Sequence, residues 1–335
     1  MKPLGIGVIG LGRMGRVYAG FVAAQLHSAA LVAISDPQES VLAQYSGVET
    51  YQDYRALLAN PDVQAVIVTT PTHTHREVVT AAAEAGKAIF CEKPTALTLR
   101  ETDTMLDAVQ KAGVPFQVGF MRRFDRAYVE AKRQIDAGVI GQPVTVRSVS
   151  RDPFRTSLEY ANPAVSGGLI VDMGIHDFDV VRWLMDDDVV RVYTETAALV
   201  YPELTTVGDV DNAQIALRFA KGGVGNIEVS RTARYGYDIR AEVVGTEGTL
   251  QVGYLQETAV LTMTSAGVRH DVVPHFPQRF GPAYTAQIAS FAECVREGKP
   301  PLVTAADARA ALQSAIAATR SQHSAASVMV ADVNE

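Results

Sequence analysis

A chain of 335 residues with 47% hydrophobic and 20% charged residues holds apolar material for two globular cores, and its length points to two domains. A net charge of −7 with no cluster of Lys and Arg argues against nucleic acid, and the absence of any apolar run of about 18 residues argues against a membrane span. Cys91 and Cys294 are the only cysteines, too few for a disulfide framework or a cysteine-built zinc site.

The opening Met1–Gly5 runs straight into strand-like sequence without a signal-peptide layout, so the cytoplasm is the expected compartment. In chain order, short apolar runs then alternate with helix-like stretches. Strands are predicted at Leu4–Gly10, Ala29–Ser35, Ala65–Thr69, Ala88–Cys91 and Phe116–Gly119. Helices are predicted at Met14–Ala24, Tyr54–Leu58, His75–Ala85 and Leu99–Lys111. That alternation is the pattern of a doubly wound parallel sheet of the Rossmann type, an α/β domain over residues 1–121.

After Gly119 the pattern changes, and residues 122–335 read as a second, α+β domain. A helix at Phe124–Ala137 and a strand at Pro143–Ser150 precede one helix from about Gly168 to Met185. Strands follow at Val189–Leu199, Asn212–Phe219, Gly223–Thr232, Ile239–Gly245 and Thr249–Val252, with glycine turns that favour an antiparallel sheet. Glu293–Pro300 and Ala305–Ser321 supply the last helical material.

The first chemical motif is Gly10-Leu11-Gly12-Arg13-Met14-Gly15, directly after the apolar run Ile6–Ile9. The first glycine permits a tight turn, the second lets a pyrophosphate approach the backbone, and the third lets helix pack closely on strand. Asp36 ends the next strand, 21 residues after Gly15, where a carboxylate accepts hydrogen bonds from the ribose hydroxyls of NAD and repels the 2′-phosphate of NADP. No Arg follows among Pro37, Gln38 and Glu39, so NAD is the expected cofactor. The plain alternative is a helix-capping Asp beside a structural turn. Thr69 and Thr70 end another strand and are expected beside the nicotinamide half. His73 and His75 form a His-x-His pair without further ligands, so helix capping or surface exposure is expected in place of metal binding.

Cys91-Glu92-Lys93-Pro94 follows a short strand, which brings Lys93 to the crevice of the dinucleotide. Its ammonium is suited to stabilise an alkoxide, and the proline to a local bend or a cis peptide. Asp172 and His176 stand four apart, so on one helix they would share a face, with the carboxylate orienting an imidazole that accepts a hydroxyl proton. A surface Asp/His pair is the alternative. The apolar neighbours Leu169, Ile170, Val171 and Ile175 imply burial, and buried charge without a task is costly.

With these motifs in place, the chain resembles the Gfo/Idh/MocA oxidoreductase family over nearly its whole length, and within it the inositol 2-dehydrogenase branch. The likeness rests on the Gly10–Gly15 turn, Glu92-Lys93-Pro94, Asp172–Asp177, Gly119–Asp125, Tyr235-Gly236-Tyr237-Asp238, Gln278-Arg279-Phe280 and Ala283-Tyr284. The resemblance implies a Rossmann domain followed by a domain with an open, mainly antiparallel sheet, through which family members associate as dimers or tetramers; a homotetramer is the expected assembly. It implies Lys93, Asp172 and His176 as the catalytic group and adds Glu92 and Lys93 to the cofactor contacts. Lys93, Arg122, Asp152, Asp172, His176 and Tyr235 are then the expected contacts to a small polyol, with no metal, nucleic acid or membrane partner. The expected reaction is NAD-dependent oxidation of one secondary hydroxyl of a cyclitol or sugar, foremost myo-inositol to 2-keto-myo-inositol. Scyllo-inositol or a glucose-type pyranose as substrate, and a catalytically silent NAD- and sugar-binding sensor, are the alternatives.

Overall fold

The computed structural model describes residues 3–26 and 28–335. By contact the chain divides into two compact units: the stretch up to Met121 with Pro282–Arg309 and Glu335, and Arg122–Gly281 with Ala310–Asn334. Among the described residues no helix is long and apolar enough to cross a membrane.

The first unit is built on β1 (Leu4–Ile9), β2 (Ala29–Ser35), β3 (Glu49–Tyr51), β4 (Ala65–Val68), β5 (Ala88–Cys91) and β6 (Phe116–Val118). They form one sheet in the order β3-β2-β1-β4-β5-β6, every neighbouring pair parallel. This is the doubly wound order, with its topological switch between β1 and β4. Strands β1, β4 and β5 are buried along their whole length because helices cover both faces, which is why they read as unbroken apolar runs. The crossovers are α1 (Arg13–Gln25), α2 (Glu39–Leu42), α3 (Tyr54–Ala59), α4 (Thr72–Glu84) and α5 (Leu99–Ala112). In α5 the Thr98 hydroxyl accepts from Glu101 N and donates to Glu101 Oε2, and Gly113 closes the helix in the left-handed region.

The second unit opens with a 3₁₀ turn at Met121–Phe124, then α6 (Arg126–Asp136) and β7 (Pro143–Arg151). Four helices follow: α7 (Leu158–Ala161), α8 (Pro163–Ser166), α9 (Gly168–Asp172) and α10 (Ile175–Met185). Then come β8 (Val189–Ala197), β9 (Asn212–Phe219), β10 (Val224–Ser230), β11 (Asp238–Gly245), β12 (Thr249–Val252) and the hairpin β13 (Leu261–Thr264) with β14 (Gly267–His270). The chain ends with α11 (Phe276–Glu297), α12 (Ala305–Ser324) and β15 (Val328–Met329). Seven strands form a sheet in the order β12-β11-β7-β10-β9-β8-β15. Only the central β7–β10 pair in it is parallel. Strand β9 alternates buried and exposed residues, the mark of a sheet with one covered face.

Two helix expectations need correction. The helix foreseen at Glu293–Pro300 begins at Phe276, with Gly281 and Pro282 inside it. These residues weaken the local helix signal, and tertiary packing overrides them. The Pro282–Glu297 part packs in the first unit: the Phe291 ring lies 6.0 Å from Phe90, and Tyr284 lies 6.1 Å from Tyr18. The continuous helix foreseen from Gly168 to Met185 is two helices, broken at Met173–Gly174.

Candidate active site

The glycine turn after β1 is held from two sides. Leu11 N donates to Asp36 Oδ2 at 2.9 Å and Gln38 N to Asp36 Oδ1 at 3.0 Å, while Thr69 Oγ1 donates to the Gly10 carbonyl at 2.6 Å. Asp36 and Thr69 stand at the ends of β2 and β4, so both flanks of the switch point clamp the turn. At Gly15 a Cβ would lie 1.9 Å from the Gly10 carbonyl oxygen, so only glycine allows α1 to start this close to β1. Gly12 is the opposite case: a Cβ there meets nothing within 4 Å. It is also the N-cap of α1 and offers no side chain to the first-turn amides, with Arg13 exposed and Met14 half-buried beside it. Open space over uncapped helix amides fits a pyrophosphate, and the Asp36 carboxylate keeps lone pairs beyond its two amide donors for ribose hydroxyls.

Lys93 is half-buried and precedes Pro94 through a cis peptide. Behind it, Glu92 is 8% exposed and turned inward. Tyr18 Oη donates to Glu92 Oε1, Gln287 Nε2 donates to Tyr18 Oη at 2.7 Å, and Lys93 N donates to Glu92 Oε2 at 3.0 Å. Burial pushes the Glu92 carboxyl above the usual carboxylate range and Tyr18 well above the usual phenol value. Both oxygens of Glu92 therefore serve the protein, and the side chain carries the backbone of Lys93.

His73 is exposed, as expected. His75 departs from the expectation of a capping or surface residue. It is 1% exposed, with Nδ1 2.9 Å from the Pro94 carbonyl oxygen and Nε2 2.8 Å from that of Thr70. Burial lowers its pKa against the opposing pull of these carbonyls, and the ring sits between the Thr69–Thr70 loop and the Lys93–Pro94 loop. Among the described residues no group of three or more His, Cys, Asp or Glu gathers to hold a metal ion.

In the second unit Asp172 ends α9 and His176 lies in the first turn of α10, both half-buried. The break between them is enforced at Gly174, where a Cβ would stand 2.5 Å from the Ile170 carbonyl oxygen. Asp172 is held from both sides: Tyr160 Oη donates to Oδ1 at 3.2 Å and Arg231 Nη2 to Oδ2 at 3.3 Å. Asp177, next to His176, is fully buried and accepts from Arg122 Nη1 at 2.7 Å, Ser148 Oγ at 2.6 Å and Ser150 Oγ at 2.7 Å. Arg123 grips Asp179 in a two-pronged pair at 3.0 and 2.6 Å. Consecutive arginines thus pin the first turns of α10, the helix that carries His176.

Arg122 is expected to touch the polyol, and in the structure its guanidinium is engaged within the protein. Its side chain is 3% exposed, Nη1 is taken by Asp177, and Nη2 donates to Ser150 Oγ at 2.8 Å. Burial opposes its charge, and Asp177 more than restores it. Arg122→Met is expected to cost about 3–5 kcal/mol, because Asp177 would be left as an uncompensated buried charge. Adding Asp177→Asn should recover part of the loss. Urea unfolding of the single and double variants checks this; a stable Arg122→Met chain would return Arg122 to the list of surface donors. Asp152 is half-buried, its backbone N donating to the Ser230 carbonyl at 2.8 Å. Tyr235 is 46% exposed, with its hydroxyl donating to Asp238 at 2.7 Å and accepting from Arg151 at 2.9 Å.

The family model described as the NAD-binding Rossmann fold of the Gfo/Idh/MocA oxidoreductase family matches residues 4–120. Its companion, the C-terminal alpha/beta domain of the same family, matches residues 132–330. The chain is a Gfo/Idh/MocA oxidoreductase. Its first unit is therefore an NAD-binding domain, in agreement with the open glycine turn and Asp36. This member is 42% identical to the scyllo-inositol 2-dehydrogenase (NAD(+)) of Bacillus subtilis, with 94% of this chain and 92% of that protein covered. It is 40% identical to the myo-inositol 2-dehydrogenase of Thermotoga maritima, with 98% and 99% covered. Among solved structures it superimposes with a TM-score of 0.94 on Lactobacillus casei scyllo-inositol dehydrogenase with bound NAD(H) and scyllo-inositol, at 29% identity over 98% of this chain and 100% of that one.

Arg231 and Tyr160, which hold Asp172, and Asp209, which holds Arg231, had no signal in the sequence. Arg231 follows β10 by one position, but nothing local marks its partners, 22 and 59 residues away. Tyr18 beneath Glu92 was equally silent, lying among the apolar positions of α1.

Proposed function

We propose that this chain oxidises one secondary hydroxyl of an inositol with NAD as the hydride acceptor. The observation that carries the reading is identity of 40–42% to two inositol 2-dehydrogenases over nearly the whole chain. In this reading Gly10, Gly12, Arg13, Met14, Gly15, Asp36, Thr69, Thr70 and Lys93 hold the cofactor, and Glu92 supports Lys93 from behind. His176 accepts the hydroxyl proton, Asp172 orients the imidazole and favours its protonated form, and Lys93 stabilises the developing alkoxide. Bound NAD supplies the acceptor for the hydride that leaves the same carbon. Asp152 and Tyr235 offer acceptor and donor groups to the remaining hydroxyls.

Myo-inositol stands first, oxidised at its axial hydroxyl to 2-keto-myo-inositol. Scyllo-inositol is the second reading, favoured by the 42% relative. The two isomers differ only at that carbon, so both give the same ketone once it becomes planar. A cytoplasmic homo-oligomer, a dimer or tetramer associating through the open sheet, belongs to the same proposal; sedimentation of the purified chain reads its size.

The test is NAD reduction over a panel of myo-inositol, scyllo-inositol, glucose and inositol monophosphate. With Arg122 committed to Asp177, neutral hydroxyl-rich substrates are expected to exceed the phosphate by at least about tenfold in kcat/KM, a difference of about 1.4 kcal/mol. Preference for the phosphate would overturn the inositol reading. NAD and inositol binding without turnover would favour a silent sensor.

A further inference from the structure

The Asp172 carboxylate is one end of a buried chain of charge. Arg231 is among the largest fully buried side chains, and its guanidinium bridges two carboxylates: Nη1 to Asp209 Oδ2 at 2.8 Å and Nη2 to Asp172 Oδ2 at 3.3 Å. Asp209 is itself 4% exposed, and its other oxygen accepts from Leu169 N at 2.8 Å, at the start of the helix that Asp172 ends. The Arg231 backbone is tied too, its N donating to the Asp211 carbonyl at 3.0 Å. A cation taken this far from water is expensive unless its partners are fixed, and a planar fork held at one prong aims the other.

We infer that Arg231, anchored by Asp209, is a positioning residue that sets the orientation and effective charge of Asp172 and through it the proton affinity of His176. The inference deepens the proposed function, since it takes Asp172 and His176 as the proton-accepting pair. The groups bonded to Asp172 are Arg231, just after β10, and Tyr160 on α7; Asp209, ahead of β9, holds the other prong of Arg231, and the pairing of Asp172 with His176 is taken from the proposed function. Asp172 raises the affinity of the imidazole for a proton. Arg231 offsets that carboxylate and holds the affinity down, while Asp209 draws part of the Arg231 charge away. The arrangement tunes the imidazole to be neutral, and so able to accept a proton, at a lower pH than an unopposed Asp–His pair would allow. A purely structural Arg231–Asp209 pair would leave His176 untouched.

The test is an NMR titration of the His176 ring in the full chain, the resonance being assigned by its loss in His176→Gln. Arg231→Met should raise the His176 pKa by about one unit, because Asp172 then acts unopposed. Arg231→Lys keeps the charge and should restore at least half of that shift. Asp209→Asn keeps an acceptor for Leu169 N but frees Arg231 for Asp172, and should lower the His176 pKa by about half a unit. Shifts of opposite sign in the Arg231 and Asp209 variants support the inference. A His176 pKa that stays within about 0.2 units in both overturns it. If Arg231→Met does not fold, Arg231→Lys and Asp209→Asn decide: no shift in Asp209→Asn overturns the inference. The acidic limb of kcat/KM should move with the titration. If the unaltered chain oxidises no inositol, the proposed function falls, and the titration still decides the role of Arg231.

Discussion

His176→Ala is expected to lose turnover by roughly 10²–10⁴-fold, the usual contribution of a general base. Oxidation needs the imidazole neutral, so in the unaltered chain activity should fall as pH drops through the His176 pKa. Without the ring that acidic limb should vanish along with most of the rate. Lys93→Met should also cripple turnover, through lost stabilisation of the alkoxide, but should keep the limb because its base is intact. NAD affinity should hold in the His176 variant, since Asp36 and the glycine turn belong to the first unit and His176 to the second. The pH dependence of kcat/KM for the three chains checks the assignment. If His176→Ala keeps the limb and most of its activity, Lys93 or a water is the base, and His176 is not the proton acceptor.

The second large effect is cofactor choice: NAD should exceed NADP by at least tenfold in kcat/KM. Asp36 is 8% exposed and fixed in direction, one oxygen on Leu11 N and the other on Gln38 N. Its charge cannot swing away from an incoming 2′-phosphate without giving up the amides that shape the glycine turn. Like unit charges about 4 Å apart repel by about 4 kcal/mol at an effective dielectric of about 20. A third of that is already about tenfold in rate. Steady-state kinetics with both cofactors decides the matter, and comparable efficiency would show that the phosphate finds a path clear of Asp36. Asp36→Ala is a poor test alone, because it also releases Leu11 N and loosens the turn.

Local pattern was enough for the parts of this protein whose neighbours in space are neighbours in sequence. Ala29–Ser35, Ala88–Cys91, Asn212–Phe219 and Thr249–Val252 are strands within the limits their apolar runs and flanking turns foretold. The Gly10–Gly15 turn and Asp36 were readable because strand, turn and helix are consecutive, and the next strand returns beside the first. Strand β3 escaped because Glu49–Tyr51 is short and mostly exposed at a sheet edge, with no apolar signature. The break between Asp172 and His176 escaped because helical periodicity carries no account of a Gly174 Cβ meeting the Ile170 carbonyl. What Lys93 and Asp172 lean on is not legible in the residue types that single them out. Arg122 reads as an available cation until Asp177, 55 residues on, takes it, and Arg231 reads as nothing until Asp172 and Asp209 close around it. A charge in a sequence has no address for its counter-charge. Only folding, by making an unpaired buried ion too costly to keep, decides which carboxylate each arginine must meet.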